Sequence, residues 1–391
     1  MNARAPTLIL SFTLLVVMLG YGLILPIMPF YIERFGAGGA ELGWMMSMYA
    51  LMQLVCAPFW GTLSDRYGRK IILSIGIAGY AVSLFLFGLA TDFWMLFLAR
   101  TLSGILSSAT MPTAMAYIGD DAPEHERSRG MGQIGAATGV GIVIGPLLGG
   151  LLSTETLALP FFVGSGLAWL ALGLVVVALP ETRRPAPARS TTTESFDLRA
   201  AARALRGPLG TTLLLILVMS FGLTSFQGIT GLYVIDRFNL DTRQVGSIWM
   251  VMGVALIVVQ GGLTGPLTHW LGERALIQWG LLGGAFGFVA MLIASDFYST
   301  LLASLAFSGA LALVGPALNA HVSALAGERQ GAIMGLNSAA TSLGRVIGPL
   351  WAGYLYDLNI GYPYVSGALA LGLSWILGRL WLQSPPSERM E

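Results

Sequence analysis

Ionisable side chains are scarce in this 391-residue chain, and their placement limits the chemistry it can do. Twenty-one Lys and Arg stand against twenty Asp and Glu, with three His and one Cys, for a net charge of +1. Every acid lies in a loop or near the end of an apolar run. Two arginines, Arg100 and Arg345, lie well inside such runs, and Arg379 lies near the end of the last one, where it can snorkel to the surface. A cation facing lipid at mid-membrane costs at least about 2.5–3.5 kcal/mol. Arg100 and Arg345 must therefore turn to a polar partner or an internal cavity. Buried cations suit electrostatic work, such as pairing or drawing in a neutral or anionic solute. The histidines are scattered, and the chain has no metal-ligand cluster, nucleophile elbow or phosphate loop. These residues do not point to an enzyme, a cofactor or a metal, and the charge balance gives no footing for nucleic acid.

A second charged constellation reads Gly61-Thr-Leu63-Ser-Asp65-Arg66-Tyr-Gly68-Arg69-Lys70. Its glycines suit a tight turn between two apolar runs. Its carboxylate can face a helix N-terminus, where the dipole favours negative charge by about 0.3–1 kcal/mol. Such a loop can serve as a breakable latch, with Asp120 a further candidate member; the plainer reading is a basic loop on the cytoplasmic side. The frame recurs as Gly265-Pro-Leu267-Thr-His269-Trp-Leu-Gly272-Glu273-Arg274, with His269 where the acid stood, so the latch is expected to be asymmetric.

The elements that must position these groups are membrane helices. Apolar residues make up 55% of the chain and charged residues 10%, against about 25% charged in a soluble domain. Lipid must be the main solvent. Twelve apolar runs, from 7–32 to 361–383, are each about 20 residues long, enough to cross a bilayer once. The first, from Thr7 to Phe30, is too long for a cleaved signal core and reads as a span. The expectation is an all-α membrane protein of twelve helices: a six-helix bundle over 1–180, a cytoplasmic linker over 181–208 with a short surface helix near Phe196–Leu205, and a second six-helix bundle over 209–391. With both termini in the cytoplasm, fifteen basic residues fall in inner loops and tails and three in outer loops, as the positive-inside rule requires.

The two halves repeat. Ile32-Glu33-Arg34-Phe35 returns as Ile235-Asp236-Arg237-Phe238, and Ala136-Ala137-Thr138 as Ala339-Ala340-Thr341. Gly132, Gly141, Gly145-Pro146 and Gly149-Gly150 return as Gly335, Gly344, Gly348-Pro349 and Ala352-Gly353. Gly141, Gly145 and Gly149 share one helix face, where small residues allow close helix approach in lipid, and Pro146 can bend the helix. A smooth, bendable helix at the boundary between halves suits rocking around a midplane cavity; static tight packing is the alternative.

The loop resembles the signature of the major facilitator superfamily. Gly132-x8-Gly141-x3-Gly145-Pro146-x2-Gly149-Gly150 is similar to the antiporter motif of its drug:proton branch, and Leu96-x3-Arg100-x3-Gly104 to the motif of span 4. Ser220-Phe-Gly-Leu, Ala326-Gly-Glu-Arg-Gln-Gly331 and Gly335-Leu-Asn337-Ser resemble the Gram-positive quinolone and multidrug efflux pumps. The resemblance implies export by alternating access, a bacterial plasma-membrane location, monomeric action, and a place for Arg100 in a proton-transfer or substrate-polarising site. It departs at one point. The pumps' acids on spans 7 and 10 fall on Gln227 and Ala312 here, which leaves protons an open partner. Glu33, Asp236, Asp65, Asp120 and His321 remain as titratable candidates, each with a solvated helix-end residue as its plainer reading. By bundle geometry the substrate side chains are expected among Tyr21, Tyr49, Gln53, Arg100, Met111, Phe226, Gln227, Tyr233, Asn319 and Asn337. The expected function is efflux of amphipathic small molecules. The second reading is a facilitator or lipid-like-solute translocator without obligatory proton coupling.

Overall fold

The computed structural model describes residues 4–121, 124–181, 207–326 and 330–381; the surface helix expected near Phe196–Leu205 lies outside them. Twelve helical spans follow one another among the described residues: α1 (Arg4–Arg34), α2 (Gly39–Tyr67), α3 (Arg69–Gly88), α4 in two pieces (α4a, Phe93–Ser107; α4b, Thr110–Asp121), α5 (Glu124–Leu152), α6 (Leu159–Ala178), α7 (Pro208–Phe238), α8 in two pieces (α8a, Thr242–Val258; α8b, Thr264–Leu271), α9 (Glu273–Ile293), α10 (Phe297–Ala326), α11 (Gln330–Leu358) and α12 (Tyr362–Trp381). Nine are long and apolar enough to cross a membrane by length and composition. The break in α4 has a local cause. Pro112 crowds the carbonyl four residues back, at Ser108, and the helix is interrupted at Ser108–Ala109. Between the pieces of α8, Val259–Leu263 forms a π-helical turn containing Gly261 and Gly262. In it the Thr264 hydroxyl donates to the Val259 carbonyl at 2.8 Å.

The chain divides into two compact units. Unit 1 is built from α1–α6 together with Leu240–Met250; unit 2 is built from α7–α12 together with Leu42–Ser47. In unit 1, α1 packs along α5 and α6, and α3 packs along α4a and α6. In unit 2, α7 packs along α11 and α12, and α9 packs along α10 and α12. The duplicated sequence thus gives the same helix pairing twice.

The glycine faces set those pairings. A Cβ at Gly141, Gly145 or Gly149 would stand 2.6–2.7 Å from the carbonyls of Leu15, Leu19 and Leu23, three successive turns of α1. In unit 2 a Cβ at Gly344 would overlap the Leu217 carbonyl, and one at Gly348 would stand 2.7 Å from the Phe221 carbonyl, both on α7. These faces are turned to the partner helix of their own unit, so the motif's first physical job is close packing. Gly150 backs onto the Thr242 carbonyl within unit 1, and Gly132 has open space around it.

Aromatic side chains form one part of the core of unit 2. Phe226 stacks on Phe307 with ring centroids 3.8 Å apart, and Phe288 and Tyr364 close around the pair. On the outer faces, Trp94, Val177, Ile293 and Leu380 stand open. Apolar surface of that kind needs hydrocarbon around it.

Candidate functional site

The charged loop between α2 and α3 closes an ion-paired cluster inside unit 1. Gly68 has φ 104 and ψ 150, a backbone state essentially confined to glycine, and it reverses the chain between the helices. The turn aims Arg69 back at α2. Its Nη2 lies 2.6 Å from Asp65 Oδ1, its Nε donates to Asp120 Oδ2 of α4b at 3.0 Å, and its Nη1 donates to Ser64 Oγ at 2.6 Å. One guanidinium therefore joins the end of α2, the start of α3 and the end of α4b. Arg69 is mostly covered, at 15% exposure, while Asp65 and Asp120 are 58% and 46% exposed. Exposed ion pairs contribute about 0.2–1 kcal/mol each, so thermal motion can open this cluster. Arg66 is outside it, with its guanidinium 5.3 Å from the Tyr67 ring centroid. Gly61 has no neighbour where a side chain would be.

Two further groups brace the same corner, and neither was expected from the sequence. Glu181, just past α6, accepts from the Lys70 amide at 3.1 Å and so caps the start of α3. A Cβ on Gly68 would lie 2.7 Å from that carboxyl. The Tyr117 hydroxyl of α4b donates to the Pro180 carbonyl at 2.9 Å. The available signal was a lone acid directly after an apolar run.

Arg100 on α4a is the second charged feature of unit 1. It is 1% exposed. Its guanidinium lies 4.2 Å from the Tyr49 ring centroid of α2 and 5.6 Å from that of Tyr21 on α1. Aromatic faces take the place of water around a cation and stabilise it by about 2 kcal/mol when desolvated. Gln53 Nε2 donates to Tyr49 Oη at 3.0 Å, and Ser107 Oγ lies 3.4 Å from the same oxygen. Gly104 lets α4a approach this place, since a Cβ there would stand 2.9 Å from the Tyr49 carbonyl. Tyr21, Tyr49, Gln53 and Arg100 thus form one cluster. Met111 is half-buried on α4b. Tyr80 of α3, missed in the sequence, is fully buried and meets α1 at Gly20.

In unit 2 the expected residues separate into two groups. Asn337 Nδ2 of α11 donates to Asn319 Oδ1 of α10 at 2.8 Å, and Asn319 is exposed. Gln227 is half-buried on α7. Phe226 and Tyr233 lie elsewhere, fully buried in the aromatic packing around Tyr364. Tyr233 donates to the Met291 carbonyl at 3.3 Å and accepts from Arg237. Arg345 is half-buried on α11. Sequence reasoning passed over Gln260. Its amide, in the π turn of α8, donates at 3.4 Å to the carbonyl of Ala312 on α10. A lone glutamine before a Gly-Gly pair in mid-span was the legible sign.

Among the described residues no three His, Cys, Asp or Glu side chains come together as a metal site. At the C-terminal end of α7, Asp236 Oδ2 accepts from Tyr356 Oη at 2.5 Å.

The family model described as Major Facilitator Superfamily matches residues 10–297 and 262–391. The chain belongs to the Major Facilitator Superfamily. It is 32% identical over 377 residues to Multidrug resistance protein 2 of Bacillus subtilis (strain 168), covering 96% of this chain and 94% of that one. It is 30% identical over 377 residues to Quinolone resistance protein NorA of Staphylococcus aureus (strain COL), covering 94% and 93%. Among solved structures, the nucleoside transporter NupG superposes with a TM-score of 0.85 at 13% identity, covering 97% of this chain and all of that one. The human organic anion transporter MFSD10 (TETRAN) superposes with a TM-score of 0.66 at 24% identity, with the same coverage. These likenesses at low identity establish the major facilitator fold. A major facilitator chain is a membrane transporter rather than an enzyme, and its substrate is a small molecule.

Proposed function

We propose that this transporter exports amphipathic small molecules from a bacterial cell by alternating access, with both chain termini in the cytoplasm. The observation that carries the reading is near full-length similarity to a multidrug resistance protein and a quinolone resistance protein. The Arg69 cluster supports it. It ties three helix ends together with exposed ion pairs weak enough to break and re-form in each cycle.

The substrate class follows from the charge left inside the spans. Gln227 and Ala312 stand where the related pumps carry acids, and Gln227 can hydrogen-bond but not titrate. The embedded charges are arginines. Neutral and anionic amphipaths, and zwitterions with a carboxylate, therefore suit the chain better than compact cations. In unit 1 the Tyr21–Tyr49–Gln53–Arg100 cluster offers aromatic faces and a polarising charge; in unit 2 the Asn319–Asn337 pair offers amide donors and acceptors.

The test is uptake into inverted vesicles holding the protein, using a quinolone, a neutral dye and ethidium, each with and without an imposed pH gradient. Faster uptake of the quinolone and the neutral dye than of ethidium supports the assignment. Uptake of ethidium alone overturns the substrate class, and no uptake of any probe overturns export. The second reading, a facilitator without obligatory proton coupling, is favoured by one observation: every acid in the chain lies in a loop or near a span end. It predicts uptake that the pH gradient does not change.

A further inference from the structure

Apart from tyrosines, two ionisable side chains are fully buried among the described residues: Arg100 in unit 1 and His321 in unit 2. An arginine does not release its proton in a protein. Histidine is the side chain whose unperturbed form changes charge between pH 5 and 8. His321 is 1% exposed, near the C-terminal end of α10, and its Nδ1 lies 4.0 Å from Oε2 of Glu273. Glu273 is the first residue of α9, with a side chain 23% exposed. Its carboxylate stands at the end of the helix where the dipole favours negative charge; Oε2, facing the imidazole, is buried, while the side chain as a whole is partly exposed and that of His321 is not. The pair thus joins a buried proton acceptor to an acid with access to water.

The duplication shows that this pair is particular to the second half. Gly68-Arg69 corresponds to Gly272-Glu273, so the latch cation has become a carboxylate. In the same register His321 corresponds to Tyr117, which in unit 1 donates to the Pro180 carbonyl. Where unit 1 holds a fixed cation and a phenol, unit 2 holds an acid and an imidazole.

The geometry points to His321 and Glu273 as a proton-binding site that couples transport to pH, in a chain that lacks the mid-span acids of its relatives. One proton adds to an imidazole nitrogen and makes an imidazolium beside the Glu273 carboxylate; the same N–H bond breaks when the proton leaves through Glu273 to water. No other bond changes. Uncharged, the buried imidazole tolerates its surroundings; charged, it needs Glu273 close by. Proton occupancy therefore sets how tightly α10 is held to the start of α9. The other charged and titratable groups at this end of the elements packed on α10 are His269 on α8b and Arg274 on α9. Arg274 donates to the Arg379 carbonyl of α12 at 3.2 Å. On α7 and α11 no Asp, Glu, Lys, Arg or His lies in the first three turns, 208–219 and 330–341.

This inference rests on the transport reading, and the experiment separates the two. Purified wild type, His321→Gln and Glu273→Gln are placed in proteoliposomes. Each is measured for quinolone counterflow, which needs no net proton movement, and for quinolone accumulation driven by a pH gradient from 5.5 to 8. In wild type, gradient-driven accumulation exceeds the no-gradient level at least fivefold. In His321→Gln that excess is lost and accumulation falls to within about 1.5-fold of the no-gradient level, while counterflow falls no more than about threefold. Glu273→Gln shifts the pH midpoint. In parallel, wild-type protein labelled with 13C-histidine is titrated in nanodiscs. The His321 resonance, assigned by its loss in His321→Gln, titrates between pH 5 and 8 and moves in Glu273→Gln. A resonance that stays neutral across that range overturns the site whether or not the variants fold. Gradient-driven accumulation kept by His321→Gln also overturns it, as does wild-type counterflow with no gradient effect. Absence of wild-type counterflow overturns the transport reading itself.

Discussion

At the residue scale, the two embedded arginines have different surroundings and different expected roles. Arg100 is sealed under two tyrosine rings contributed by α1 and α2, so it joins three helices of unit 1 around one charge. Arg345 is half-buried, and its counterpart in the first half is Ile142, so the duplication did not supply that charge. Removing Arg100 takes away the cation that orders Tyr21, Tyr49 and Gln53 and leaves a void beneath them. Arg100→Ala should therefore lower quinolone transport at least tenfold, a loss of about 1.4 kcal/mol in the rate-limiting step, and more than Arg345→Ala does. Arg100→Lys should not restore it, because an ammonium is a compact, strongly hydrated charge and stacks poorly on rings. Initial rates normalised to protein in the membrane check this. A larger loss in Arg345→Ala would move the working charge to α11.

At the element scale, the glycines of the repeated α5 motif divide by what their helix face meets. Gly145 has the Leu19 carbonyl where a side chain would go, and Gly132 has nothing. Gly145→Leu must push α5 off α1, and overpacking of this kind typically costs about 1–3 kcal/mol. Gly132→Ala should be neutral or stabilising by about 0.5–1 kcal/mol, since alanine favours helix over glycine. Thermal unfolding in detergent, followed by tryptophan fluorescence, checks the order; a Gly132→Ala protein less stable than Gly145→Leu would show that the spacing does not report packing. The spacing of Gly141, Gly145 and Gly149 was legible because one helical face repeats about every four residues. Their partner was not, since spacing says that a face is smooth and not which helix lies on it. The same limit explains Arg100: its tyrosines come from two other helices, and no local pattern links them. It explains Phe226 and Tyr233 as well, where aromatic type suggested a ligand wall and tertiary packing made a core. The break in α4 was readable from Pro112. The π turn in α8 was marked only by a Gly-Gly pair.

At the scale of the whole molecule, the halves repeat their helix pairing but only some of their charges. In each unit the first helix packs on the fifth and the third on the sixth, because the glycine faces and apolar runs were copied together. The loops after the second helix of each unit have diverged. Unit 1 holds Asp65–Arg69–Asp120, and the corresponding positions in unit 2 carry His269, Glu273 and Ala324. The arrangement of one arginine between two carboxylates is therefore particular to unit 1 at these matched positions. His269 is exposed, and Glu273 instead lies near His321. If the latch acts as one cluster on unit 1, the matched substitutions must be unequal. Asp65→Asn removes the charge that Arg69 shares and keeps the shape; transport should fall at least tenfold while protein in the membrane stays near the wild-type level. His269→Asn changes an exposed residue with no matching cation to pair, and transport should stay within about twofold of wild type. Raising ionic strength should slow wild type less than it slows Asp120→Asn, because screening weakens exposed pairs and the variant retains only one. Equal losses from Asp65→Asn and His269→Asn would mean that both loops latch alike, and that the divergence of their charges carries no mechanical consequence.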